Sequence, residues 1–395
     1  MKINKNVLAD ALKVLGKVVS QTSPEVVQRS VRFLGSGGSV MAMATDGVEL
    51  VALKLEVEAE GVTDFAVEYK GLRELVRSTR GSEVEVTGER TDWPEVEVVP
   101  ADAMSIALPG NFAALLAEAA PIVDRNEVRR PLQGIHLCRE GIVVTDGKQL
   151  LLLPQNWLLP EAVTLPFPLA LLTAKPGESG TLTVWKSQDV QFFKIEIGGF
   201  VWFGKALEGS YPNWRQVLPE KSALNYAIML HEAEPIIEFL KSVPDSPPFH
   251  AIELNAVPEG VAVIPVNFPD MELRLSAEIS GVRPREVLAL NKHILLRMLQ
   301  QGYTKFNANS DGGVPVIAEG GSGRYLAMPI RIHPQKIIQL KEEKKVEEPK
   351  RIEVAPEPVN PMEELNSAVD ELRDKLKGLL DETGQLARKV KEAAL

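Results

Sequence analysis

Asp46 and Asp146 occupy identical Thr-Asp-Gly triplets one hundred positions apart, and two carboxylates recurring in one context could serve as a general acid and base. A turn gives both a simpler use, because Asp-Gly favours tight hairpins and an aspartate accepts hydrogen bonds from the backbone just beyond it. No catalytic pattern accompanies them. The sequence has no Gly-rich loop followed by Lys-Ser/Thr, no His-Glu-x-x-His and no Gly-x-Ser-x-Gly, and its five histidines are scattered. Gly35 to Gly38 and Gly320 to Gly323 read as hairpin turns with no helix behind them, which makes them poor phosphate sites. The single cysteine, Cys138, lies in the apolar run Ile135-His136-Leu137-Cys138 and reads as a buried strand thiol. Alone it forms neither an intramolecular disulfide nor a cysteine zinc site, which fits a reducing cytoplasm. The expectation is a non-enzymatic protein with no cofactor and no metal.

A second chemistry is carried by cations. On a helix over Lys70 to Thr79, Lys70, Arg73, Arg77 and Arg80 fall on one side and Leu72, Leu75 and Val76 on the other. Lys13 and Lys17 likewise oppose Leu8, Leu12 and Leu15. Lys175, Lys292 and Arg297 lie on or just after later helices. Such stripes are either wet helix faces or phosphate-binding surfaces. The net charge of -10 excludes a protein that coats itself with nucleic acid, and leaves a local basic lining open. Two other helices, Asn111 to Ala120 and Ile228 to Lys241, are nearly devoid of basic residues, and Glu232, Glu234 and Glu238 make the latter acidic.

The elements that carry these residues repeat. At 395 residues, 45% hydrophobic and 25% charged, the chain is long enough for two or three domains and has no apolar run fit to span a bilayer. Met1-Lys2-Ile3-Asn4 runs straight into patterned sequence, with no secretory or transit segment. The first segment reads as a helix with strands at Val31 to Leu34, Val40 to Ala44 and Glu49 to Val57. A stretch at Phe65 to Val67, the basic helix, and strands at Glu83 to Thr87 and Glu95 to Val99 follow. A second round places the helix Asn111 to Ala120 before strands at Gly134 to Leu137, Gly141 to Val144 and Leu150 to Leu153. A third places Ile228 to Lys241 before strands at Ala251 to Asn255, Gly260 to Val266 and Met271 to Ile279. The helix Asn291 to Gln301 and strands at Lys305 to Ala308, Val314 to Ala318 and Arg324 to Ile332 close it. Self-similarity on this scale predicts an α+β chain of repeated domains, bounded at 1-106, 107-221 and 222-333. Residues 334-360, rich in Pro, Glu and Lys, read as a disordered linker. Residues 361-395 read as an amphipathic heptad helix, with a seam through Leu365, Val369, Leu372, Leu376, Leu379, Thr383, Leu386, Val390 and Ala393. That seam calls for another helix as its partner.

Three runs make the reading specific. Gly209-Ser210-Tyr211-Pro212-Asn213-Trp214-Arg215-Gln216-Val217-Leu218-Pro219 resembles the Phe-Pro-Asp-Tyr-Arg-Arg-Val-Leu-Pro run between the second and third domains of the bacterial DNA polymerase III beta sliding clamp family. Arg324-Tyr325-Leu326-Ala327-Met328-Pro329-Ile330-Arg331-Ile332 resembles that family's Val-Met-Pro-Met-Arg-Leu ending. Val143-Val144-Thr145-Asp146-Gly147-Lys148-Gln149-Leu150 is similar to its second-domain Thr-Asp-Gly-His-Arg-Leu. The resemblance covers residues 1 to about 332.

The resemblance implies three clamp domains, with helices lining a ring interior and sheets outside, closed by a second copy head to tail around duplex DNA. The basic residues Lys13, Lys17, Lys70, Arg73, Arg77, Arg80, Lys175, Lys292 and Arg297 would then face DNA without reading its sequence. It also implies a hydrophobic cleft for short linear peptides of polymerases, the clamp loader and repair proteins, lined by Thr145, Gly147, Lys148, Leu150, Pro212, Val217, Leu326, Met328, Pro329 and Ile330. The chain departs from the family at Lys148 (His there), Gln149 (Arg there), Gln216 (Arg there) and in its C-terminal extension. A clamp-like scaffold that recruits proteins through cleft and coiled coil without encircling DNA is the alternative these departures favour.

Overall fold

Asn4 starts the first helix: its side-chain oxygen accepts the backbone N–H groups of Asn6 and Val7 at 3.0 and 3.4 Å, leaving Leu8, Ala11, Leu12 and Leu15 on one buried stripe. Asn291 does the same far along the chain, accepting from His293 and Ile294 at 2.9 and 3.3 Å. These helices belong to a computed structural model that describes residues 1–332 apart from 37–38, 58–61, 91, 94–97, 160, 176, 178 and 283–286. The linker and heptad helix expected over 334-360 and 361-395 lie outside the described residues, as does most of the strand expected at Glu95 to Val99.

The elements recur in three rounds. The first has β1 (Lys2–Asn4), α1 (Lys5–Leu15), the single turn α2 (Val26–Arg29), β2 (Ser30–Ser36), β3 (Ser39–Thr45), β4 (Glu49–Glu56), β5 (Val62–Glu68), α3 (Tyr69–Ser78) and β6 (Glu83–Glu85). The second has β7 (Met104–Leu108), α4 (Phe112–Ala119), β8 (Ile135–Cys138), β9 (Gly141–Thr145), β10 (Gln149–Pro154), β11 (Val163–Leu165), α5 (Leu169–Ala174), β12 (Gly180–Ser187), β13 (Val190–Ile197) and β14 (Phe200–Lys205). The third has β15 (Tyr226–Leu230), α6 (Glu234–Ser242), β16 (Ala251–Val257), β17 (Gly260–Pro265), β18 (Leu273–Leu275), β19 (Ala277–Gly281), β20 (Leu288–Asn291), α7 (Lys292–Gln300), β21 (Lys305–Ala308), β22 (Val316–Glu319) and β23 (Arg324–Ala327). In each round a strand and a helix precede four antiparallel strands, the last of which returns to lie beside the first, and a second helix then leads into a further sheet.

Antiparallel sheets run through the junctions between rounds. β4 of the first round pairs with β14 of the second, giving the order β5-β2-β3-β4-β14-β13-β12-β7. β10 of the second pairs with β23 of the third, giving β11-β8-β9-β10-β23-β22-β21-β15-β19. The ladders run unbroken across both junctions, and Met1–His333 forms one compact unit. Behind the first junction, the fully buried rings of Phe193 and Trp202 meet edge to face at 4.7 Å. Among the described residues, no helix is long and apolar enough to cross a membrane.

Three expectations need correction. Tyr226–Leu230 is a strand, and the helix expected over Ile228 to Lys241 begins only at Glu234, because Pro235 in its first turn cannot follow a preceding helical turn. Met271 to Ile279 is not one strand: the chain passes at Ser276 from β18, paired with β17, to β19, paired with β15. Met104–Leu108 pairs with β12, so the second round begins ahead of a boundary at 106/107.

Candidate functional site

The two Thr-Asp-Gly triplets form the same hairpin in successive rounds. In each, the Thr hydroxyl donates to the carbonyl four residues on (2.7 Å for Thr45, 2.6 Å for Thr145) and accepts the Gly N–H at 3.0 Å. Asp46 Oδ1 accepts from Val48 and Glu49, and Asp146 Oδ1 from Lys148 and Gln149. Gly47 and Gly147 take φ of +91° and +84°, where a side chain would be strained. Each carboxylate is thus committed to its own turn.

The second hairpin forms one wall of a cavity of about 210 Å³. Thr145, Gly147, Lys148 and Leu150 come from this hairpin, Pro212 and Val217 from the segment joining the second and third rounds, and Leu326 and Met328 from the end of β23. Residues scattered over nearly two hundred positions meet because β10 pairs with β23 and the Met328 N–H continues that ladder to the Lys148 carbonyl at 2.9 Å. Leu150 and Leu326 are buried in a small core with Cys138, Val143, Leu152 and Trp214. Val217 and Met328 stand 46% exposed at the rim, which sets them apart from core residues. Pro329 and Ile330 do not line the cavity, and the Ile330 N–H bonds to Ala289 of β20. Sequence reasoning misses Arg129, Leu132, Gln149, Asn213, Trp214, Pro315 and Ala327, which complete the lining.

The linking segment is held from behind. Tyr211 stacks on His136 at 4.2 Å, and burial together with the Arg215 charge pushes that imidazole down to about 4, so the stack is neutral. Arg215 covers the Trp214 ring at 4.5 Å and binds Glu140, holding that carboxyl below its usual range. An apolar floor, two adaptable apolar side chains and cations at the mouth suit a short extended peptide.

The basic residues of the first round also converge. α1 packs against α3 closely enough that a Cβ on Gly16 would lie 2.1 Å from the Tyr69 hydroxyl, which donates to the Leu12 carbonyl at 3.0 Å. The groove between them, about 550 Å³, is lined by Lys13, Lys17, Arg73 and Arg77, with Thr173 of α5 at its end. Lys13 pairs with Asp10 at 2.7 Å, whereas Lys17, Lys70, Arg73, Arg77 and Arg80 are exposed and have no carboxylate within ion-pairing distance among the described residues. Lys175 is an exposed C-cap of α5 in the left-handed conformation. Two expected members of this lining are engaged elsewhere. Lys292 is 7% exposed and donates to the Val243 carbonyl at 2.9 Å and to Asp245. Arg297 donates to Gln149 Oε1 at 2.9 Å.

Compared by sequence, the chain matches no family model and no curated protein. Compared by structure, it matches a Pseudomonas aeruginosa DNA polymerase III beta sliding clamp bound to griselimycin, with TM-score 0.70 and 18% identity over 84% of this chain and 99% of that one. The Bacillus subtilis sliding clamp matches with TM-score 0.69 and 14% identity, over 84% and 99%. The Helicobacter pylori beta clamp bound to a DNA ligase peptide matches with TM-score 0.68 and 18% identity, over 84% and 100%. The chain has the bacterial sliding-clamp fold. Within that clamp fold, three repeats lie end to end, their junctions bridged by shared sheets.

Proposed function

We propose that this chain is a sliding clamp: a cytoplasmic ring that encircles duplex DNA without reading its sequence and tethers polymerase, clamp loader and repair proteins through the cleft at Met328. The observation that carries the reading is the conjunction of the clamp fold with a cleft built from the three runs that resemble the family's own. The groove cations Lys17, Arg73 and Arg77, which have no carboxylate partner among the described residues, support it, since phosphate contacts that hold without specifying are side-chain cations free to exchange with counterions.

Two copies joined head to tail complete the ring. The same joint is used twice within the chain, where β4 and β10 each pair with the last strand of the next repeat. β18 holds the corresponding place in the third repeat and is the edge of its sheet. An open edge that repeats an internal joint invites the same joint from another chain, and a ring hides it.

The test is topological. The chain is loaded by a clamp loader onto nicked circular and onto linear duplex of one sequence, then challenged with salt. Retention on the circle with loss from the linear form is expected. Equal loss from both, with peptide binding intact, would replace the ring with the scaffold reading.

A further inference from the structure

Gln149 stands where the resembled run carries arginine, so the cation expected on this wall of the cleft is absent from β10. An arginine of the third repeat reaches this position instead, without itself lining the cleft. Gln149 lines the cleft at 6% exposure, and its Oε1 accepts from Arg297 Nη1 on α7 at 2.9 Å and from Tyr325 Oη on β23 at 2.5 Å. Its Nε2 donates to Asp146 Oδ2 at 2.6 Å. The other oxygen of Asp146 holds the backbone N–H groups of Lys148 and Gln149 at 2.9 and 3.0 Å, which shapes the rim turn itself. A single amide therefore links that turn to a guanidinium 148 positions away in the chain. With both ends satisfied, the amide has one orientation, and a charged donor in a buried network outweighs a neutral one.

We propose that Arg297 is a positioning residue of the cleft: acting through Gln149, it fixes from α7 the rim turn that a bound peptide meets, and it is not a duplex contact. This rests on the peptide-binding reading of the cleft.

The test uses the full chain and two probes, a fluorescein-labelled copy of the DNA ligase peptide by fluorescence polarisation and griselimycin as competitor. Arg297→Met is expected to weaken peptide binding about tenfold, the size of one charge-assisted hydrogen bond, while leaving the salt dependence of duplex binding unchanged. Gln149→Arg and Arg297→Gln each weaken peptide binding alone, and the double exchange restores it to within about threefold of the natural chain, a recovery that a merely structural loss would not show. Arg297→Lys, which keeps the charge, gives an intermediate affinity and serves if Arg297→Met does not fold. Equal peptide affinity for Arg297→Met and the natural chain, no recovery in the double exchange, or a salt slope lowered by about one overturns the proposal alone. A natural chain that binds neither probe overturns the cleft reading, and this inference with it.

Discussion

Tyr303 Oη lies 2.9 Å from Glu118 Oε1, so a fully buried phenol just past the third repeat's helix α7 donates to a carboxylate on α4 of the second. The Gly323 N–H donates to the same hydroxyl at 3.2 Å, and Gln301 Nε2 adds a bond to the Glu118 carbonyl at 2.8 Å. Burial pushes the Tyr303 hydroxyl far up, which keeps it a donor. Tyr303→Phe leaves Glu118 without its partner and is expected to cost about 2 kcal/mol, measured as a lower urea midpoint at unchanged slope.

Met328 is half exposed and touches the cleft without supporting the core. Met328→Glu is expected to weaken binding of the labelled DNA ligase peptide more than about tenfold while changing unfolding free energy by less than about 0.5 kcal/mol. Polarisation and urea titration on one preparation decide. A parallel loss of stability would return Met328 to the core.

Arg73→Ala and Arg77→Ala remove cations of the α1/α3 groove. Each is expected to lower the slope of log affinity for duplex against log salt by about one, with little effect on stability. Lys292→Met is expected to do the reverse, because its ammonium is spent on Val243 and Asp245: folding stability changes and the salt slope stays.

Glu49 sits at the first junction, where Trp202 Nε1 donates to its Oε2 at 2.6 Å. Desolvation by burial outweighs that hydrogen bond and raises the carboxyl from 4.5 to about 7. The folded chain therefore binds a proton more tightly than the unfolded one. No penalty exists below about pH 4.5, and one grows between there and about pH 7, reaching a full value on the order of 3 kcal/mol above it. Glu49→Gln, which keeps an acceptor for Trp202, is expected to be the more stable chain at pH 8 and no more stable at pH 4, read from thermal unfolding at the two pH values.

The sequence carried the repeat and the cleft further than it carried the elements between them. The three runs at Thr145, Pro212 and Met328 are local strings of residues, so their likeness survives in a chain whose overall identity to solved clamps is only 14–18%. Arg129 and Leu132 reach the cleft only through folding of the loop before β8, and no local string marks them. The β12–β13 hairpin turns through Gln188 and Asp189, both at positive φ without a glycine, so the usual dipeptide signal is missing. Helical spacing placed Lys292 and Arg297 on the last helix, yet spacing says which side of a helix a residue takes and not what that side meets. Lys292 meets Asp245 of a loop, and Arg297 meets Gln149 of another repeat.

Cys138 lies in the small core behind the cleft, and burial pushes its thiol up to about 11. With no other cysteine in the chain, the natural protein is expected to react only slowly with thiol reagents at neutral pH. Any cysteine added at a surface site becomes the sole point of attachment for a fluorophore or spin label. Distances across the repeat junctions can therefore be measured without first stripping the molecule of its own sulfur.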